Sequence, residues 1–131
     1  MNLKKSIVLL ITHAPTGTSF IEAMRSILPE NLTEAFIPFD IYPDTNPEKI
    51  LSKAQKIIHD KIPNDILFLT DLTGATPFNL AQKIIHTLPQ YECALISGVS
   101  LAMLIKTANY QTLSLREWVS EIRASALQWI E

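Results

Sequence analysis

Short, nearly continuous apolar runs separated by segments of helical period are what most narrow the folds open to this chain. Ser6–Ile11 (SIVLLI), Asp65–Thr70 (DILFLT) and Tyr91–Ser97 (YECALIS) are apolar at most positions. A strand exposed on one face alternates apolar with polar residues, whereas a strand covered by helices on both faces does not. A fourth run, Ala35–Phe39 (AFIPF), contains Pro38, which has no amide to donate and belongs on a sheet edge.

The intervening segments repeat with a period of about 3.6 residues. Phe20, Met24, Ile27 and Leu28 form one apolar stripe, and Ile50, Leu51, Ala54, Ile57 and Ile58 a second. The second is preceded by Asn46 as N-cap and Pro47 at the first helical position. Phe78, Ala81, Ile84, Ile85 and Leu88 form a third stripe, for which Thr76 and Pro77 are read the same way. A short helix is expected over Leu101–Ile105. A last one is expected over Ser114–Glu131, where Ser114 and Glu117 have capping-box spacing.

Strands alternating with helices imply an α/β, flavodoxin-like doubly wound parallel sheet with right-handed crossovers and helices on both faces. Its strand order would be 2-1-3-4, with the Pro38 strand outermost. The 131 residues suit a single domain spanning 1–131. A net charge of −2 argues against nucleic acid and anionic membrane as partners. With Cys93 as the one cysteine, no intrachain disulfide is available. The apolar stretch near the N-terminus is shorter than a signal h-region or a membrane span, so a cytoplasmic location is expected.

In order 2-1-3-4, strands 1 and 3 are neighbours at the topological switch point, where such sheets bind ligands. Thr12-His13-Ala14-Pro15-Thr16-Gly17 leaves the first, and Thr70-Asp71-Leu72-Thr73-Gly74-Ala75-Thr76-Pro77-Phe78-Asn79 leaves the third. His13 would then face Asp71. A carboxylate accepting from Nδ1–H leaves Nε2 of a neutral imidazole free to attack a phosphoryl group, and stabilises the cation that forms. The Thr73 and Thr76 hydroxyls and the amides around Gly74, Ala75 and Thr76, at a helix start, would receive the phosphoryl oxygens. No metal or cofactor is needed for such chemistry. On position alone, a histidine at a strand end is more often structural, and the second loop reads equally well as a turn and a cap.

These loops resemble those of the IIA domain of the mannose family of the sugar phosphotransferase system, and the resemblance extends over essentially the whole chain. Leu67–Asn79 (LFLTDLTGATPFN) is similar to that family's strand followed by D-x-x-G-[GA]-[ST]-P-x-N. Thr12-His13 matches the close of its first strand, and Ile96–Leu104 (ISGVSLAML) its GxNxPML stretch. The resemblance implies that His13 is phosphorylated by the general carrier HPr, that Asp71 orients it, and that Thr76 lies near the phosphoryl group. It implies a IIB component as acceptor, possible only as a separate protein here, and association with membrane components of the system without embedding in the membrane. It also implies a homodimer in which an antiparallel C-terminal edge strand, part of Leu127–Glu131, is exchanged between subunits. The chain departs from the family at Ala14, where glycine is frequent, at Ala75 in the double glycine, and at Ser100-Leu101-Ala102 in place of Asn-x-Pro.

Two alternatives keep a modified His13: a regulatory phosphohistidine protein without a transport acceptor, and the phosphotransfer subunit of dihydroxyacetone kinase. A receiver-like module phosphorylated on Asp71 would need an acidic pair after strand 1, where this chain has Thr12-His13. A flavin carrier would use Thr16-Gly17-Thr18-Ser19 as a partial phosphate loop. His59 and His86 are expected near helix C-termini, where a partly charged imidazole suits the dipole. Cys93 is expected as a small core residue in a buried strand, Trp118 and Trp129 in packing or an interface, and Lys4-Lys5 as a solvated strand start.

Overall fold

The computed structural model describes residues 4–128. Its strands are β1 (Ser6–His13), β2 (Phe36–Ile41), β3 (Asp65–Thr70) and β4 (Glu92–Ser97). Its helices are α1 (Thr16–Arg25), α2 (Glu30–Thr33), α3 (Pro47–Lys61), α4 (Thr76–His86), α5 (Leu101–Asn109) and α6 (Leu115–Gln128). The strands are all parallel in the order β2-β1-β3-β4, as the alternation of apolar runs and helices implied. Pro38 lies on the edge strand β2, opposite Leu10.

The central strands explain the apolar runs. Ile7, Leu9 and Ile11 of β1, with Ile66 and Phe68 of β3, pack under α3 and α4 against Ile50, Ala54, Ile58, Leu80, Ala81 and Ile84. Val8, Leu10, Leu67 and Leu69 point the other way, into a second core with Ile21, Met24, Met103, Leu104, Trp118 and Ile122 of α1, α5 and α6. Successive residues on a strand face opposite sides, so a strand buried on both must be apolar at every position.

Several local expectations change. β4 is the other edge strand, so Cys93 is only partly buried rather than sealed in the core. Burial still pushes its thiol up to about 11, with the nearby Asp65 charge adding to the effect, which keeps it a poor nucleophile. The first helix stops at Arg25 because the chain tightens there. The Ser26, Ile27 and Leu28 amides bond back to the Ala23 and Met24 carbonyls, and Pro29 cannot continue the helix. Ile27 therefore leaves the stripe and stands 58% exposed. Asn46 caps α3 as expected, accepting from the Glu48 amide at 3.0 Å. Thr76 does not cap α4: the N-cap is Ala75, Thr76 is already helical, and no side chain closes that end. The helix after Gly98 runs on to Asn109, capped by Ser100. Ser114 accepts from the Glu117 amide and meets the Glu117 carboxylate. Leu127 and Gln128 are helical, and the remainder of the expected exchanged strand lies outside the described residues.

The amino edge of the sheet is held by a polar cluster. Lys4 is not a solvated strand start: its ammonium pairs with Asp65 at 2.9 Å, lies over the Trp118 ring and donates to the Leu113 carbonyl. Ser6 donates to the other oxygen of Asp65, and the Trp118 indole donates to the Thr107 carbonyl at 2.9 Å. Asp65 is 2% exposed, so these partners take the place of the water its side chain has lost. Removing it strands an ammonium in a mostly buried setting, and Asp65→Ala is expected to cost about 3 kcal/mol. The check is a lower urea midpoint with unchanged slope. A midpoint equal to that of the parent protein would remove Asp65 from the account of stability.

Candidate functional site

His13 is the last residue of β1, and Asp71 follows β3 immediately. The register puts Ile11 opposite Thr70, so the chains leave the sheet side by side at the switch point. His13 shares the face of Ile11, two residues earlier, and its ring therefore stands on the α3/α4 side. It lines a cleft of about 280 Å³ with Ile41, Tyr42, Pro43, Thr45, Pro47, Thr76 and Leu80.

Asp71 holds the histidine twice. One carboxylate oxygen accepts from the His13 amide at 3.0 Å and lies 2.8 Å from Nδ1 of the ring. The other accepts from the Leu72 amide at 3.1 Å. Burial pushes the Asp71 carboxyl up, but hydrogen bonds from the His13 ring and from backbone amides, with the nearby imidazole charge, bring it below its ordinary value of 3.8. At neutral pH it is therefore an anion and can only accept. The proton of a neutral His13 ring must then sit on Nδ1, which leaves the Nε2 lone pair free. The side chains are 46% exposed for His13 and 17% for Asp71, so the nucleophile is open to a partner while its orienting group is shielded.

The loop after Asp71 is shaped to leave amides unused. Gly74 has φ of +80°, a conformation that favours glycine. The Ala75 amide donates to the Leu72 carbonyl, and the Asn79 side chain closes the loop onto the Gly74 carbonyl at 3.3 Å. The first helical hydrogen bond of α4 runs from the Asn79 amide to the Ala75 carbonyl, so the Thr76 and Phe78 amides precede the helical ladder. Thr76 lines the His13 cleft. Thr73 lies beside a separate hollow, with Phe78, Ser97, Gly98 and Arg123. His59 and His86 fall in the last turns of α3 and α4. Among the described residues no group of three or more His, Cys, Asp or Glu side chains is placed to hold a metal ion. Among the same residues no helix is long and apolar enough to cross a membrane.

The sequence reading missed the wall opposite Asp71. Tyr42, Pro43 and Thr45 turn sharply after β2, with Thr45 accepting from the Tyr42 amide at 2.8 Å. It also missed Asp40, at the end of β2. Strand order 2-1-3-4 offered a signal for both, since it sets the exit of β2 beside that of β1.

This arrangement is accompanied by a match of residues 7–123 to the EIIA-man family model, described as the PTS system fructose IIA component. The chain belongs to this family. Such EIIA components are, as a class, phosphotransferases of the sugar phosphotransferase system. The chain is 28% identical over 116 residues to the sorbose-specific EIIA component of Lacticaseibacillus casei, covering 88% of this chain and 81% of that protein. It is also 28% identical over 101 residues to the mannose-specific EIIAB component of Escherichia coli K12, covering 76% of this chain but 30% of that longer protein. In fold it is similar to a phosphotransferase system EIIA component from Streptococcus agalactiae, with a TM-score of 0.85 at 20% identity over 96% of this chain and 95% of that one.

The His13 contact has a measurable consequence. A carboxyl whose folded pKa is depressed adds stability above its unfolded value and loses it as pH falls through the folded one. In His13→Ala the ring's contribution disappears while burial still opposes ionisation. The Asp71 midpoint, followed by carboxyl carbon NMR, is therefore expected to rise, and acid unfolding to begin at higher pH. An unmoved midpoint would mean that the ring does not sustain the Asp71 charge.

Proposed function

We propose that this EIIA component is a cytoplasmic phosphocarrier, active as a homodimer, that takes a phosphoryl group from phospho-HPr onto His13 and passes it to a IIB component. The observation that carries the reading is the 2.8 Å contact between Nδ1 and the Asp71 carboxylate, which leaves Nε2 as the available nucleophile. In the first transfer the phosphorus–nitrogen bond in the donor breaks as the bond from phosphorus to Nε2 of His13 forms. The proton stays on Nδ1, and Asp71 stabilises the ring as it becomes cationic. In the second transfer the IIB nucleophile displaces His13 from phosphorus, and the ring returns to its neutral tautomer.

The phosphoryl oxygens need donors that no protein group has already claimed. Gly74, Ala75 and Thr76 form that environment at the start of α4, where the Ala75 amide is taken by the Leu72 carbonyl but the Thr76 and Phe78 amides precede the helical ladder and the N-cap offers no side-chain acceptor. The Thr76 hydroxyl borders the cleft itself. Thr73 borders a different hollow from the one His13 lines, so it would reach the phosphoryl group only from outside the cleft. By contrast, the Gly17 and Thr18 amides of α1 already donate to the Thr12 hydroxyl and the Asp40 carboxylate. Of the two helix starts beside His13, α4 is therefore the one suited to an incoming anion.

The experiment is phosphorylation with enzyme I, HPr and labelled phosphoenolpyruvate. An acid-labile, alkali-stable adduct is expected, absent in His13→Ala. Label retained in that variant, or carried on Asp71, would overturn the assignment. Asp71→Ala is expected to remain folded and to slow labelling about a hundredfold, since orientation of the nucleophile is lost. Labelling at the parent rate would leave Asp71 without its proposed role.

A further inference from the structure

Helix α1 begins without a cap of its own. Its N-cap position is Pro15, which makes no side-chain hydrogen bond, yet the first turn lies directly after the His13 loop. Side chains from two strand ends take over the task. The Thr12 hydroxyl, at the end of β1, accepts from the Gly17 amide at 2.7 Å. The Asp40 carboxylate, at the end of β2, accepts from the Thr18 amide at 3.2 Å through one oxygen and from the Thr18 hydroxyl at 2.6 Å through the other. A charged acceptor meeting the start of a helix is favoured by both the free amides and the dipole.

The fit around this clamp is close. A Cβ at Gly17 would lie 2.9 Å from the Thr12 hydroxyl oxygen and 3.2 Å from Asp40, so only glycine lets both acceptors reach the turn. Thr12 and Asp40 are opposite one another in the sheet, as are His13 and Ile41, and the Ala14 amide donates to the Ile41 carbonyl at 3.0 Å. The link from His13 to α1 is thus fastened at Ala14, Gly17 and Thr18. The last of these fastenings rests entirely on Asp40. The His13 amide and ring must both reach one Asp71 oxygen, so a loop free to shift would open the angle on which the ring's orientation depends.

We propose that Asp40 is a positioning residue for phosphotransfer: by clamping the first turn of α1 it holds the His13 backbone where Nδ1 meets Asp71. Asp40 acts through Thr18 and the loop. This inference rests on His13 being the phosphorylated residue, and its test separates the two.

The test measures phosphotransfer from phospho-HPr in Asp40→Ala, Asp40→Asn and Thr18→Val, together with the imidazole nitrogen spectrum of His13. In Asp40→Ala, kcat is expected to fall roughly ten- to a hundredfold with KM for phospho-HPr little changed, as for misplacement of a reacting group. The Nδ1–H signature should weaken towards a mixture of tautomers. Asp40→Asn keeps an oxygen for the Thr18 amide and is expected to recover most of the rate. Thr18→Val removes only the hydroxyl donor and should lie between. If Asp40→Ala does not fold, the asparagine and valine variants carry the comparison, through their order in kcat and their nitrogen spectra. A lowered melting temperature with parent kcat and an unchanged nitrogen spectrum would reduce Asp40 to a helix cap and overturn the proposal. A raised KM at parent kcat would also overturn it, by placing Asp40 in donor binding. If the parent protein takes no label on His13, the phosphocarrier reading itself fails; parent labelling with an unaffected Asp40→Ala rejects the inference alone.

Discussion

His13 and Asp71 are 58 residues apart in the chain, and they meet because β1 and β3 pair in parallel with Ile11 opposite Thr70. The site inherits its precision from that register. A slip of one residue would turn His13 to the α1 face and leave Asp71 facing empty backbone. A slip of two would keep the face but carry the ring about 6.6 Å along the strand, well beyond hydrogen-bond reach. What prevents either is the core. Ile7 through Ile11 are each no more than 2% exposed, and they interlock with apolar layers on both sides of the sheet. Nothing in the His13–Asp71 contact need hold the strands together, and the contact can be used for chemistry.

Much of this was readable from the residues because double-sided burial leaves a plain mark. Asp65–Thr70 has no polar position between its ends, and its strand has the boundaries its composition implied. Alternation of strands and helices implies a doubly wound sheet, and once its order is the flavodoxin-like β2-β1-β3-β4 the meeting of His13 with Asp71 follows too. The misreadings lie where a side chain's partner is remote in sequence. Lys4 looked solvated because its acceptor, Asp65, and the Trp118 ring come from distant segments. Thr76 is a local exception: Thr-Pro is a common helix opening, yet the extended N-cap residue is Ala75 and Thr76 is already helical. Asp40 was overlooked because a single acid closing an edge strand has no local pattern. Only the strand order sets it beside the loop it holds.

The two ends of the sheet divide stability from function. At the amino edge Asp65 is met by an ammonium and a hydroxyl, and the indole of Trp118 is satisfied as well. At the carboxyl edge the buried hydroxyls of Thr70 and Ser97, paired across β3 and β4, have no hydrogen-bond partner among the described residues. The edge that carries His13 is the one from which the loops leave, and loops set on a rigid scaffold are where reactive groups are placed.

Which ring nitrogen reacts is decided by a contest at Asp71. Burial alone would raise its pKa, and a protonated carboxyl could donate as well as accept. It could then pair with the other tautomer, placing the bare lone pair on Nδ1, turned inward, and the proton on the exposed nitrogen. Hydrogen bonds from the His13 amide and ring, with the Leu72 amide on the second oxygen, favour the anion and outweigh burial. The amide contacts matter here because they persist whichever tautomer the ring adopts. They keep Asp71 an acceptor before the imidazole has chosen its state, and the choice follows from that. The backbone at His13 thus prepares the carboxylate that orients the His13 side chain, and the two bonds to one oxygen work as a single device.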